Sequence, residues 1–190
     1  QDPDVLDAAA AVHLKLGNLT RAESFYRALI DADAGNVVAR LGVAEITRQK
    51  GDLPKAESLI SAVYADAPDD ARAAEALIDI CRQRGKQVAA LRLCRDIVER
   101  HPESAGVRVR LCSLLFEAGL DNELCQACSA LLEYSPGNAM AHAYLAKLFF
   151  RLGLFQMAVD SAAKAAAQEP LNGGIYRLYV AALIQNGDLS

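Results

Sequence analysis

Tryptophan is absent from this 190-residue chain, proline occurs six times, and aromatic residues make up 6%. Each proline removes a backbone donor and breaks a helix interior, so its scarcity leaves long stretches free to be helical. Clusters of β-branched and aromatic residues bounded by turn signals are missing, which removes the usual basis for strands. No run of about 18 apolar residues occurs, so direct membrane insertion is not expected. Lys/Arg clusters are missing too, and the formal net charge is -4. Nucleic acid is therefore a poor partner, because binding it needs a basic face that displaces counterions from phosphate. Docking on an anionic membrane surface fails for the same reason. The five cysteines are odd in number and scattered from Cys81 to Cys128, unlike the even set of a small disulfide scaffold. They read as free thiols in a reducing, cytoplasmic setting. The chain begins at Gln1 without a charged-then-apolar leader and stops just after a turn signal. It reads as a piece of a longer protein or a processed product, which keeps a periplasmic location as the alternative.

What the chain does have is order at long range. Gly17, Gly51, Gly85, Gly119, Gly153 and Gly187 stand 34 residues apart, with no insertion or deletion. Pro68, Pro102, Pro136 and Pro170 keep the same spacing, each 17 residues after a glycine, with Ala34 in their place in the first block. A third series, Ala22, Ala56, Ala90, Leu124 and Ala158, lies five residues after the glycines. Fixed self-similarity of this length marks a solenoid or repeat array. Glycine ends a helix by taking a left-handed backbone at little cost, and proline marks the end of the next one.

Between these marks lie amphipathic stretches of about 14 residues, each roughly 20 Å long as a helix. Val38, Leu41, Val43, Ala44 and Ile46 before Gly51, then Ala56, Leu59, Ile60 and Val63 after it, have a spacing that mixes steps of three and four. The period predicts helices over 3–16, 19–33, 37–50, 53–67, 71–84, 87–101, 105–118, 121–135, 139–152, 155–169 and 173–186. Asp52, Asp69, Asp70, Asp121 and Asn138 suit helix starts. Arg48, Lys50, Arg82, Arg84 and Arg151 suit last turns, where a cation meets the negative end of the helix dipole.

With these residues in view the chain resembles tetratricopeptide repeat proteins over essentially its whole length. The resemblance implies an all-α fold: a right-handed solenoid of tandem antiparallel helix pairs, about 11 helices. It implies a single array over 1–190, with repeats 3–36, 37–70, 71–104, 105–138 and 139–172 and a half repeat 173–190. The frequent tryptophan near each repeat start is replaced here by Leu6, Arg40, Ala74, Arg108, His142 and Tyr176. The alanine late in the second helix survives only at Ala165, its place being taken by Leu29, Val63, Ile97 and Leu131. Some relatives grip a chaperone's C-terminal carboxylate with Lys, Asn and Arg. The matching places are Asp7, Ala11, Gly42, Arg72 and Ala76, or Leu41, Glu45, Ala76, Gly106 and Arg110 one repeat on, so that clamp is not expected.

Reactive chemistry finds little support. Cys125 and Cys128 form a C-x-x-C, but a redox pair wants a βαβ context and a zinc site wants two further ligands. Cys94 and Cys128 each lie nine residues after a glycine, so they read as equivalent core residues, as do Cys81 and Cys112. His13, His101 and His142 fall at unrelated repeat positions. Glu75 and Asp79, one turn apart, read as a solvated acidic patch rather than an acid/base pair. No catalytic residue, metal ligand or cofactor is assigned, and the chain is not expected to be an enzyme.

First helices of such arrays line an extended concave surface. By register Asp7, Ala11, Lys15, Glu45, Arg48, Glu75, Asp79 and Arg82 point inward in the first three repeats. Val109, Ser113, Phe116, Met140, Ala143, Tyr144, Lys147, Phe150 and Arg151 do so in the next two. Of these, Val109, Phe116, Met140, Ala143, Tyr144, Lys147, Phe150 and Arg151 form the candidate partner-binding groove, an apolar strip rimmed by two cations. The competing reading packs Phe116 and Phe150 between neighbouring repeats. The function expected is that of a protein-interaction scaffold or adaptor holding a peptide or partner protein. The alternatives are a regulatory or substrate-docking domain of a larger enzyme and a bacterial cell-envelope assembly or export component. Ile175, Leu178, Tyr179 and Leu183 in the last helix point to apolar terminal faces that a missing repeat, a neighbour or a second copy would cover, so a homo-oligomer through the terminal helices is also considered.

Overall fold

A computed structural model describes residues 2–188. Their helices are α1 Pro3–Lys15, α2 Leu19–Ala32, α3 Val37–Gln49, α4 Leu53–Asp66, α5 Ala71–Gln83, α6 Gln87–Arg100, α7 Ala105–Glu117, α8 Asp121–Tyr134, α9 Ala139–Arg151, α10 Phe155–Gln168 and α11 Gly173–Asn186. Every helix starts where the period predicts, and the first ten end one residue sooner. That residue is the C-cap, whose N–H still bonds back while its carbonyl has left the ladder. All six periodic glycines take positive φ, from 70° to 89°; the first five close the turn within a hairpin and Gly187 caps α11. At the starts, Asn36, Asp52, Asp70, Asn138 and Asn172 accept backbone N–H bonds from the first turn. Asp121 is the first residue of α8, behind Leu120 as N-cap, and its carboxylate pairs with Arg151.

The chain divides into two compact units, residues 1–90 and 91–190, with the boundary inside α6. In the first unit α1 pairs with α2 and α3 with α4, while α2 packs on α3 and α4 on α5. Ala22 and Ala56 are fully buried, which lets the paired helices approach closely. Around them Leu6, Ala10, Tyr26, Leu29, Ala39 and Ile46 form one cluster, and Ala44, Ile60 and Ile80 another. Gly42 belongs to no periodic series and has a different purpose. A Cβ built there would lie 2.4 Å from ring carbons of Tyr26, so only glycine lets that ring seat against α3. Between hairpins the same ion pair recurs: Glu23 with Lys50, then Glu57 with Arg84, the latter joined by Lys86.

In the second unit α7 pairs with α8, α9 with α10, and α11 packs on both α10 and α9. Leu124, Cys128 and Leu131 are wholly buried along α8. Arg108, at the place of the family's tryptophan, lies over the Tyr134 ring at 4.5 Å and donates to the Pro102 carbonyl at 2.5 Å. A stacked guanidinium thereby supplies the flat surface an indole would offer. Along α11 the expected faces are corrected. Ile175 is buried with Ala165 and Ala166, and Tyr179 and Leu183 pack on Ala158 and Val159. The 3.6-residue period instead turns Tyr176, Val180 and Ile184 outward.

Candidate protein-interaction site

Within the second unit α7 and α9 lie side by side. Phe116, in the last turn of α7, sets its ring 6.2 Å from that of Tyr144 on α9, tilted by 49°. Arg151 lays its guanidinium over Phe116 at 4.4 Å, donates to the Phe116 carbonyl at 3.1 Å and pairs with the Asp121 carboxylate. Lys147, one turn earlier, holds its ammonium 4.9 Å from the Tyr144 ring centroid and 5.9 Å from that of Phe116. A cation over a ring face is worth about 0.5–1 kcal/mol at an exposed site.

The two cations differ in what remains open. Arg151 is stacked, hydrogen-bonded and neutralised by Asp121. Lys147 rests on two rings with no carboxylate in ion-pair reach among the described residues, so its three donors are unfilled by protein. This cluster can take an acceptor group next to an apolar side chain. It contains no nucleophile beside a base.

The eight expected groove residues therefore divide. Phe116, Tyr144, Lys147 and Arg151 come together as described, and Val109 and Met140 are half-buried on the same two helices. Ala143 is buried with Ala139, Ala165, Ala166 and Ile175. Phe150 meets Phe155 edge to face at 5.6 Å and packs on the cluster of Ala158, Val159 and Ala182. Phe116 and Phe150 share a repeat position yet have different surroundings.

The charged residues of the first unit largely satisfy one another. Arg48 makes two 2.6 Å bonds to Glu45, and Gln49 adds a third at 2.8 Å. Burial pushes the Glu45 carboxyl up, but the bonds from Arg48 and Gln49 outweigh it and hold the group below its ordinary value. Neither Glu75 nor Asp79 is a free carboxylate.

The C-x-x-C does not act as a pair. Cys128 has its Sγ 3.6 Å from Cys112 on α7, while Cys125 is half-buried. The bond to Cys112, then burial, push the Cys128 thiol well above its ordinary value, which makes it a poor nucleophile. That thiol contact joins positions 16 residues apart and carries no local sequence signal. His13 stacks on Phe25 and His142 lies 3.1 Å from the Pro136 carbonyl, in different units. Among the described residues no three His, Cys, Asp or Glu side chains gather as for a metal. No described helix is long and apolar enough to cross a membrane. A cavity of about 270 Å³, lined by Val98, Leu111, Leu115 and Ala127 and edged by Arg95 and Glu123, offers no reactive group.

Residues 13–78 match the tetratricopeptide repeat family model. No curated protein matches the sequence. Among solved structures, TTC0263, a thermophilic tetratricopeptide repeat protein of Thermus thermophilus, superposes with a TM-score of 0.74 at 18% identity, covering 96% of this chain and 100% of that one. YrrB, a tetratricopeptide repeat protein with an unusual peptide-binding site, gives 0.65 at 18% identity over 91% and 87%. MamA of AMB-1 gives 0.65 at 24% identity over 87% and 98%. The described residues form an all-α helical repeat fold like that of these structures, and residues 13–78 carry the match to the tetratricopeptide repeat.

Proposed function

We propose that this protein is a scaffold that holds a peptide or partner protein on the α7–α9 face, with Lys147 and Phe116 as the principal contacts. The carrying observation is the unpaired Lys147 ammonium seated on two aromatic rings beside the fully paired Arg151. The ring contacts hold the half-buried Lys147 in place and leave its donors open to an anion. The same arrangement suits an extended or helical segment bearing a carboxylate next to an apolar side chain, the charge fixing register and the ring supplying contact area. Support also comes from YrrB, a fold relative with a peptide-binding site of its own.

The test is a panel of synthetic peptides that differ only in acidic and apolar content, read by fluorescence anisotropy against the intact chain. The acidic, apolar members are expected to bind. Lys147→Ala and Phe116→Ala are each expected to weaken that binding about tenfold or more, the effect of losing roughly 1.4 kcal/mol, while the melting temperature moves little. Unchanged affinity in both variants would remove this face from consideration. A large fall in melting temperature with no specific binding loss would make Phe116 a packing residue.

A further inference from the structure

The hairpin of α7 and α8 seals two thiols against each other. Cys112 and Cys128 are fully buried free thiols, and their sulfurs lie 3.6 Å apart. The same two repeat positions are occupied in the other hairpins by Ala10 and Tyr26, Ala44 and Ile60, Ile78 and Cys94, and Ala146 and Ala162, all at most 5% exposed. Packing at this place is therefore met by alanine, isoleucine or tyrosine, and this hairpin alone puts sulfur on both sides. A disulfide holds its sulfurs about 2.05 Å apart, so bridging asks for about 1.6 Å of approach, shared between two side chains on helices already packed together. The C-x-x-C offers a worse geometry. Residues three apart on one helix keep their Cβ atoms about 5–6 Å apart, against about 3.8 Å in a disulfide.

We propose that Cys112 and Cys128 form a reversible oxidation site, which a small hydroperoxide converts to a disulfide between α7 and α8. The Cys112 thiolate attacks the peroxide, the O–O bond breaks, and a sulfenic acid forms on Cys112 as water or an alcohol leaves. The Cys128 sulfur then attacks the Cys112 sulfur. The S–S bond forms, the S–O bond breaks, and the Cys128 proton leaves with the hydroxyl as water. Two thiols are oxidised and one peroxide is reduced. Cys112 reacts first because the bond from Cys128 outweighs burial and, with the charge of Arg108 one turn earlier, holds its thiol below the ordinary value. The same bond is the largest cause that raises the Cys128 thiol, and oxidation of Cys112 removes it. The second thiol thus becomes reactive as the first is consumed. Both sulfurs are sealed from solvent, which excludes bulky oxidants. A molecule of peroxide's size fits the cavity of about 270 Å³ whose walls include Leu111 and Ala127, the chain neighbours of the pair. Local opening of the hairpin supplies the last step of access, so the reaction is slower than that of an exposed thiol. The bridge pins together the hairpin that carries Phe116 and Asp121.

The test is hydrogen peroxide added to the intact, reduced chain, read by thiol counting and by peptide mapping without reductant. Cleavage at glutamate separates Cys112 from Cys125 and Cys128, through Glu117 and Glu123. The product is expected to lose two of its five thiols and to link the Cys112 peptide to the Cys128 peptide, and a dithiol is expected to restore both. Cys125→Ser is expected to bridge at an unchanged rate. Cys112→Ala and Cys128→Ala are expected to stay folded, since Ala44 and Ala162 fill these positions elsewhere, and each to lose the bridge. In Cys128→Ala oxidation is expected to stop at the sulfenic acid of Cys112, captured by dimedone. The bridged chain is expected to melt about 5 °C above the reduced one, because a loop of this length is closed without strain. Oxidation of Cys125 alone, with Cys112 and Cys128 left as thiols, overturns the proposal. So does a bridge from Cys125 to Cys128, and so does a bridged chain that melts below the reduced one. The peptide panel above reads Lys147 and Phe116, so the two readings fail independently.

Discussion

At the scale of single residues, glycine has two separate purposes in this chain. Gly51 sits at φ 89° with open space around it, so a methyl group there meets only its own backbone. Gly42 has ordinary helical geometry, but the Tyr26 ring occupies the volume a methyl would need. Alanine at position 42 gains about 1 kcal/mol of helix propensity and forces a buried ring to move, a cost of about 1–3 kcal/mol. Gly42→Ala is therefore expected to lower the melting temperature by several degrees, and the loss should shrink in a Tyr26→Leu background where the ring is gone. Equal losses in both backgrounds would mean that the ring is not the cause. Gly51 was legible in the sequence because it recurs; Gly42 was not, because its reason is a ring sixteen residues away. Arg108 is a similar case. It stands where the family carries tryptophan, and only the neighbouring Tyr134 and Pro102 explain how an arginine serves there.

At the scale of helices, most starts were readable because Asn and Asp caps announce them, while the ends were overrun by one residue because the C-cap still bonds its N–H back into the helix and no residue type marks it. The caps are also unevenly provided. Asp52, Leu120 and Leu154 occupy one repeat position with nearly the same backbone, φ near -85° and ψ between 66° and 72°, yet only Asp52 bonds its helix. Leu154 is 45% exposed, so replacing it disturbs no core. Leu154→Asp is expected to stabilise the second unit by about 0.5–1 kcal/mol, read as a higher denaturant midpoint at unchanged slope. A lower midpoint would show that the leucine does more than bridge the turn. The candidate site was half legible at this scale. Helix register brought Phe116, Tyr144, Lys147 and Arg151 to one face. It also offered Ala143 and Phe150, which the structure turns toward α10 and α11, because a single period cannot say which side of a helix its neighbours occupy.

At the scale of the molecule, charge is distributed so that acid acts unequally. The four carboxyls held below their ordinary values, Glu23, Glu45, Glu57 and Asp70, all belong to the first unit. Lys86, then Arg84, hold Glu57 down, and Lys50 does the same for Glu23. A carboxyl depressed by folding contributes stability that is fully present above its unfolded value and is lost as the pH falls through the folded one. Their ordinary values are 4.5 for the glutamates and 3.8 for Asp70. As the pH drops below 4.5, amide hydrogen exchange is thus expected to rise in α1–α5 before it rises in α7–α10, and Glu57→Gln should flatten that response. Simultaneous loss in both units would contradict it. None of this was readable from the net charge: Glu23 and Glu57 pair with residues 27 to 29 apart across separate hairpins, while Glu45 and Asp70 pair locally with Arg48 and Arg72.

The constant spacing of the six turn glycines has one more consequence, for inheritance. Because the repeats have the same length and each ends its first helix on a glycine of positive φ, a stretch of coding sequence 34 codons long is a self-contained unit of exchange. Unequal recombination between two such stretches lengthens or shortens the protein by one whole hairpin and leaves every remaining turn in phase. A change that is no multiple of 34 breaks the even spacing of the glycines.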